Sequence, residues 1–497
     1  MRYTSPLTVA GLACLLYIGT LGGEFVWDDI PLIAQNEALR SLKNVPKALT
    51  SDFSGLADPS KRSGYYRPVT LLTYFLDHHL WRGRPFGFHL SNALLHAICS
   101  LFVYLLSLDL LNSKRAALAA GLLFASHPVH TEAVAWISGR TDILATLFLL
   151  ASLLTLRRSY PTSLILSLLC MGSKESGISV TFLAPLYGTL LSRRISLKYL
   201  GYVVLGAGFW ALRCSIVGGV RLPPDVYVPP LILRIADVPV VWGRYIYKLI
   251  WPFRLSAEWD IPLPSSIGPH HILGWLMSGA LGYLLLKRWR DDPSTTLGFG
   301  LLLLGLLPVS GVIPLYDRVA ERFLYLPSVG FVILLARATS GLRRVSIAWA
   351  AICLVLLPYS WTTLRRNQIW RDQETLFRST VRDAPNSARA HYNLGTYLLG
   401  RGNYDEAIKF LRKALALRPG FKEAQYNIAC AYALKGDREK AISALARAVR
   451  MGVEDPKFVA EDPDLKPLHK DPRFWEILKR MGLTAPGPIP SVPPRSP

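Results

Sequence analysis

The sequence predicts an all-α protein: a polytopic transmembrane helical bundle of about eleven spans, followed by an α-solenoid of short helical repeats. Three observations carry this reading. The 497 residues are 51% hydrophobic and only 18% charged, with a mean hydropathy of +0.28, which is too apolar for an ordinary soluble chain. The apolar residues gather into eleven runs. After Trp361 the composition turns charged and helix-forming, and a 34-residue period sets in.

In chain order the runs are 7–21, 90–111, 116–126, 142–156, 161–172, 177–191, 199–217, 271–286, 295–313, 325–337 and 345–361. Several are shorter than the ~20 residues of a straight span, so their polar ends belong in the bundle interior or in cavities. The first has a basic start and a small-residue stretch, Gly19 to Gly23, and reads as an uncleaved signal-anchor because so many spans follow. The net charge of +22 falls between runs, at Lys114-Arg115, Arg157-Arg158, Arg193-Arg194 with Lys198, Lys287-Arg288 with Arg290, and Arg343-Arg344. Such basic loops face the cytoplasm. With Arg2 they alternate with the other loops, which puts the N-terminus in the cytoplasm and the C-terminal repeats on the extracytoplasmic side, periplasmic or lumenal. Topology explains the basic excess, and no nucleic-acid partner is expected. Of six cysteines, five lie in or beside apolar segments and Cys430 stands alone in a soluble helix; the spacing suggests neither a metal site nor a disulfide pair.

The extracytoplasmic loops hold the unusual residues. Asp28 and Asp29 follow the first run at once, and acids at a membrane rim are functional candidates. The same loop carries Tyr66 and Arg67. The next reads His127, His130, Glu132, then Arg140 and Asp142; a third is Lys174-Glu175; a later one holds Arg318, Glu321, Arg322 and Tyr325. Each cluster also has a local use: Asp28 or Asp29 as a helix cap, Lys174-Glu175 as an ion pair, and Arg318, Glu321 and Arg322 as helix-surface pairs at i, i+3 and i+4. His127 and His130 do not space as a zinc pair, since Pro128 breaks the helix and no third ligand recurs. Four clusters on one side of one bundle favour a site. Carboxylates suit a general base toward a hydroxyl, and cations suit a leaving phosphate. Without a Walker loop or dinucleotide fingerprint, a donor presented from the bilayer as a lipid phosphate fits best, with Arg67, Lys174, Arg318 and Arg322 as phosphate partners by charge.

Phe25-Val26-Trp27-Asp28-Asp29, Tyr66-Arg67-Pro68-Val69-Thr70, the stretch 127–142, Lys174-Glu175-Ser176-Gly177 and Glu321-Arg322-Phe323-Leu324-Tyr325 resemble the transmembrane and tetratricopeptide-repeat-containing protein O-mannosyltransferases, over nearly the whole chain. The resemblance implies a GT-C glycosyltransferase fold, a polyprenyl-phosphate sugar donor, transfer to Ser or Thr hydroxyls with inversion, an Asp of the Asp28-Asp29 pair as catalytic base, and no obligatory metal or cofactor. Tyr66, Arg67, His127, His130, Glu132, Arg140, Asp142, Lys174, Glu175, Arg318, Glu321, Arg322 and Tyr325 would then bind substrate. The acceptor could instead be a glycolipid or surface glycan, and a non-catalytic scaffold built on the repeats is the reading from another class.

Residues 388–420 and 422–454 align at the 34-residue offset: Gly402, Ala407, Leu411 and Ala414 match Gly436, Ala441, Leu445 and Ala448. That is the tetratricopeptide pattern of paired helices with small residues at their crossing. Pro385 stands 34 before Pro419, which makes 370–384 the second helix of a degenerate earlier repeat. The domains expected are 1–361, membrane and catalytic; 362–480, repeats with a capping helix over 455–480 and a groove for an acceptor polypeptide; and 481–497, a Pro-rich disordered tail.

Overall fold

Each of the eleven apolar runs is a helix. The computed structural model describes residues 4–60, 62–218, 228–259, 261, 264–289, 291–342 and 344–483, and among these there is no strand. Arg2, Arg290, Arg343 and nearly all of the Pro-rich tail lie outside the described residues. The runs become helices Thr4–Tyr17, Pro85–Leu111, Lys114–Ser126, Arg140–Thr155, Tyr160–Ser173, Val180–Ser192, Leu200–Val217, Pro269–Arg288, Pro293–Leu306, Tyr325–Ser340 and Val345–Asn367.

Among the described residues six helical stretches, not eleven, are long and apolar enough to cross a membrane: Ser5–Gly22, Pro85–Leu111, Ile137–Thr155, Leu197–Val217, Glu321–Ser340 and Val345–Trp370. The chain is a membrane protein with fewer such helices than expected, and length is the main reason. Lys114–Ser126 and Val180–Ser192 have 13 residues, and Tyr160–Ser173 and Pro293–Leu306 have 14. Each rises ~20 Å against a hydrocarbon core of ~30 Å. Pro269–Arg288 has 20 residues but opens on His270-His271 and is less apolar. Two further helices were not signalled by apolar runs. Pro68–Trp81 has only 14 residues and is interrupted by Asp77-His78-His79, and Leu231–Ile250 carries Arg234, Asp237, Arg244 and Lys248, which break up its hydrophobic pattern.

Lys114–Ser126 is buried along most of its length because its small residues let neighbours close in. A Cβ at Gly121 would lie 2.9 Å from Val9 and 3.1 Å from Tyr104. A Cβ at Gly330 would lie 2.2 Å from the Gly298 carbonyl oxygen, so helices Pro293–Leu306 and Tyr325–Ser340 cross backbone to backbone, a small-residue contact suited to helices with apolar surroundings. A separate cluster of Leu32, Ile33, Leu39, Phe53, Leu56, Tyr74 and Phe75 folds the first long loop onto helix Pro68–Trp81. This loop is therefore a packed element rather than a tether, and it positions Asp28.

The chain divides into two units, the first running to Leu376 apart from residues 258–260 and the second made of those three residues and the chain from Phe377 on. The first continues past Trp361 because helix Val345–Asn367 does: the Asn367 amide donates to the Leu16 carbonyl at 2.8 Å. In the second unit, helices Ala388–Gly400 and Tyr404–Leu417 form one hairpin and Lys422–Lys435 and Arg438–Arg450 the next. A Cβ at Gly395 would lie 2.7 Å from the Leu411 side chain, the small-residue crossing that the repeat pattern requires. The stretch after 455 forms helices Pro456–Glu461 and Pro472–Arg480 with a 3₁₀ turn, Pro463–Leu468, between them.

Candidate active site

The two adjacent aspartates face different surroundings. Asp29 is fully buried. It accepts from the Ser138 N–H at 2.8 Å, the Ser138 hydroxyl at 2.5 Å and the Val26 N–H at 3.3 Å. Burial pushes its carboxyl up to about 7, against the pull of the Ser138 and Val26 hydrogen bonds, and the Asp28 charge adds to the rise. Its side chain caps no helix. Asp28 instead lines a cavity of about 490 Å³. The turn between them and the first span depends on Trp27, which adopts a left-handed φ of 54°. That conformation costs a bulky residue ~1–2 kcal/mol, offset by stacking on Trp136 at 5.6 Å, which itself stacks on Trp370 at 6.0 Å.

The same cavity is lined by cations, each held by a partner distant in sequence. Arg67 forms a two-pronged pair with Glu175 at 2.9 and 2.8 Å, and Glu175 also accepts the Tyr66 N–H at 3.0 Å. Lys174 meets both oxygens of Asp142 at 2.6 Å. Burial drops the Lys174 ammonium to about 8; Asp142 opposes that fall, while the Arg67 and Arg322 charges reinforce it. Arg322 is gripped by Glu132 and Asp317. Arg67, Lys174, Glu175 and Arg322 all line the cavity beside Asp28.

The other expected site residues stand outside its lining. Arg140 is fully buried, pairing with Asp77 at 2.5 Å and donating to Asn92 at 2.6 Å and the Phe88 carbonyl at 3.0 Å. Glu132 and Asp142 sit behind the cavity wall as carboxylate partners of Arg322 and Lys174. The Tyr66 hydroxyl donates to the Leu49 carbonyl at 2.7 Å. His127 contacts the Leu249 carbonyl at 3.0 Å, His130 contacts Ser328 at 2.8 Å, and Tyr325 meets His96 at 2.7 Å, an aromatic core inside the bundle. Arg318 pairs with Asp237, and Glu321 pairs with Arg366 at 2.6 Å. The pairings observed are long-range ones. Lys174 and Glu175 ignore each other, and Arg318, Glu321 and Arg322 each reach another segment.

Sequence reasoning missed Arg213, which lines the cavity from helix Leu200–Val217. A lone arginine inside an apolar run was the available signal. It also missed Asp52, a buried carboxylate that accepts from Ser54, Gly55, Ser63 and Gly64 and so knots the first loop.

In the second unit a groove is lined by Lys409, Arg412, Lys413, Lys435 and Lys440 beside Phe410 and Tyr432. Residues 364–421 and 398–460 match tetratricopeptide-repeat family models. Most of the chain is similar to curated proteins named as O-mannosyl-transferases. It is 28% identical over 491 residues to the mouse protein named "Protein O-mannosyl-transferase TMTC3", covering 87% of this chain and 53% of that protein. It is 30% identical over 496 residues to human "Protein O-mannosyl-transferase TMTC1", covering 84% and 56%, and 30% identical over 488 residues to human "Protein O-mannosyl-transferase TMTC4", covering 82% and 66%. The chain is a homologue of the TMTC proteins. As such it spans about half to two thirds of the length of the relatives it matches, and the similarity runs through both the apolar bundle and the repeats.

Proposed function

We propose that this chain is a GT-C-type membrane glycosyltransferase, moving mannose from a polyprenyl-phosphate carrier to Ser or Thr hydroxyls of a polypeptide on the extracytoplasmic side. One observation carries the reading: a cavity in a TMTC homologue brings Asp28 together with Arg67, Lys174, Arg213 and Arg322, while its other carboxylates are engaged, Glu175 by Arg67, Asp317 by Arg322 and Asp58 by Ser60. The acceptor hydroxyl gives its proton to Asp28 as its oxygen attacks the anomeric carbon; without a base the alkoxide is too scarce near neutral pH. The bond from that carbon to the phosphate oxygen breaks, and its electron pair stays on the phosphate. The cavity cations meet that charge without reorganising, because carboxylates fix Arg67, Lys174 and Arg322 and backbone carbonyls fix Arg213. Asp29 holds the loop that carries Asp28. No cofactor or metal enters the reaction. The repeats bind the acceptor polypeptide, and the basic groove favours acidic flanking sequence.

The test is turnover of polyprenyl-phosphate mannose by the purified full chain, with labelled sugar traced into protein and lipid fractions. Label in protein that disappears in Asp28→Asn supports the proposal. Label confined to lipid moves the acceptor to a glycolipid. Wild-type protein that never consumes the donor overturns the enzyme reading in favour of a scaffold.

A further inference from the structure

The charges around the cavity are unevenly matched. Arg67, Lys174 and Arg322 each touch at least one carboxylate oxygen at ion-pair distance. Arg213 does not. It is 1% exposed, and among the described residues its guanidinium meets only carbonyls, donating to Gly64 at 2.6 Å and Gly218 at 3.0 Å, with the Trp210 ring 4.8 Å away. Its Nε proton has no acceptor.

A buried cation facing neutral dipoles alone is costly, since attraction to an opposite charge is what offsets desolvation. This one stands near the end of the apolar stretch Leu197–Val217, long enough to cross a membrane, and lines the cavity that holds Asp28. The Gly64 carbonyl that orients it is itself held. Gly64 has a φ of 71°, a left-handed conformation that glycine adopts freely, and its N–H donates to Asp52 at 2.6 Å. Arg213 is thus aimed by a built frame and, among the described residues, is held by carbonyls without a carboxylate partner.

We propose that Arg213 is the phosphate-holding residue of the cavity and that the anion completing its coordination is the phosphate of a lipid-linked sugar. This rests on the reading of the cavity as the donor site. Unlike Arg67, Lys174 and Arg322, it has no carboxylate at ion-pair distance among the described residues. When the anomeric carbon–oxygen bond breaks and the electron pair remains on the phosphate, the diester monoanion becomes a monoester able to carry a second negative charge. The departing lipid phosphate is then the more tightly held species, and Arg213 gains most at that step. A planar guanidinium suits two phosphate oxygens, a geometry lysine cannot reproduce.

The experiment titrates the detergent-purified full chain with polyprenyl phosphate, uncharged polyprenol and inorganic phosphate, following tryptophan fluorescence, for wild type, Arg213→Gln and Arg213→Lys. The proposal expects wild type to bind polyprenyl phosphate at least tenfold more tightly than polyprenol. Arg213→Gln should lose that preference while binding polyprenol unchanged, and Arg213→Lys should keep only part of it. A purely structural pin would weaken both lipids alike, and an unchanged preference in Arg213→Gln also overturns the inference. Should the glutamine variant fail to fold, Arg213→Lys decides: full wild-type preference refutes the proposal. Wild-type protein that binds inorganic phosphate through Arg213 but ignores the lipid phosphate overturns the donor reading and leaves Arg213 as an anion site. Wild-type protein that binds neither phosphate overturns both.

Discussion

Asp28 and Asp29 differ by one position, yet their replacement should produce opposite phenotypes. Asp29→Ala removes the acceptor of the Ser138 N–H, the Ser138 hydroxyl and the Val26 N–H inside a sealed pocket. A buried donor left unmatched costs ~1–3 kcal/mol; the Ser138 hydroxyl can rotate but the two backbone N–H groups cannot, so the variant should lose roughly 2–6 kcal/mol of local stability, with reduced protection of residues 24–36 in hydrogen exchange. Asp28→Asn should leave that protection unchanged and reduce turnover of polyprenyl-phosphate mannose by ~10²–10⁴, the range for loss of a general base. A pH signature separates them further. Because the folded carboxyl of Asp29 sits near 7, above its ordinary 3.8, the folded state keeps a proton the unfolded state gives up. Stability is full below about 4 and falls as pH rises toward 7, by ~1.4 kcal/mol per unit. Asp29→Asn has no such proton and should lack that slope. Normal turnover in Asp28→Asn, or wild-type exchange protection in Asp29→Ala, would refute the division of roles.

Lys174 stays charged only below about 8, so the KM for the lipid donor should rise as pH passes 8; Lys174→Arg should flatten that rise, and an identical alkaline limb in both proteins counts against Lys174 as a charge in the donor site. Arg140→Gln leaves Asp77 buried without its cation, which costs ~3–5 kcal/mol; the apolar pair Arg140→Met with Asp77→Leu should recover much of the lost melting temperature, and no recovery would show that the Asn92 and Phe88 contacts dominate. Reversing charge in the repeats with Lys409→Glu and Lys413→Glu should raise KM for an acidic acceptor peptide several-fold while leaving KM for the lipid donor in place; equal effects on both would remove the groove from acceptor binding.

What the sequence made legible was periodic or composed of unlike residues. The eleven helices showed because apolar runs are long, and the repeats showed because a 34-residue period brings small residues back to the same crossing, as at Gly395. The candidate site was legible as clusters only. Lys174 and Glu175 are neighbours in the chain but diverge at the end of helix Tyr160–Ser173, so one turns to Asp142, 32 residues upstream, and the other to Arg67, 108 upstream. A reading based on i, i+3 and i+4 spacing cannot find such partners, because tertiary packing brings them together. His127, His130 and Arg140 looked like site residues for a related reason. Polar side chains at the ends of helices also serve to satisfy buried carbonyls and carboxylates, and in sequence the two uses look the same. Leu231–Ile250 escaped notice because its four charges dilute the apolar signal on which span prediction depends.

The pairing pattern bears on how the cavity discriminates among ligands. A cation already bonded to a carboxylate is rigid and well oriented, which helps at the moment charge develops, but it presents little net field to an approaching anion. Arg67, Lys174 and Arg322 are of this kind, and their carboxylates, Glu175, Asp142, Glu132 and Asp317, repel a phosphate nearly as much as the cations attract it. If Arg213 holds the donor phosphate as proposed, selection of a charged lipid over a neutral one falls to its guanidinium, which meets no carboxylate among the described residues, while the paired cations set geometry. Removing a carboxylate should then act opposite to removing a cation. Asp317→Asn frees part of the Arg322 charge and should tighten polyprenyl phosphate binding, at the expense of slower product release; a weakened affinity in that variant would show that order in the Arg322 side chain matters more than its net charge.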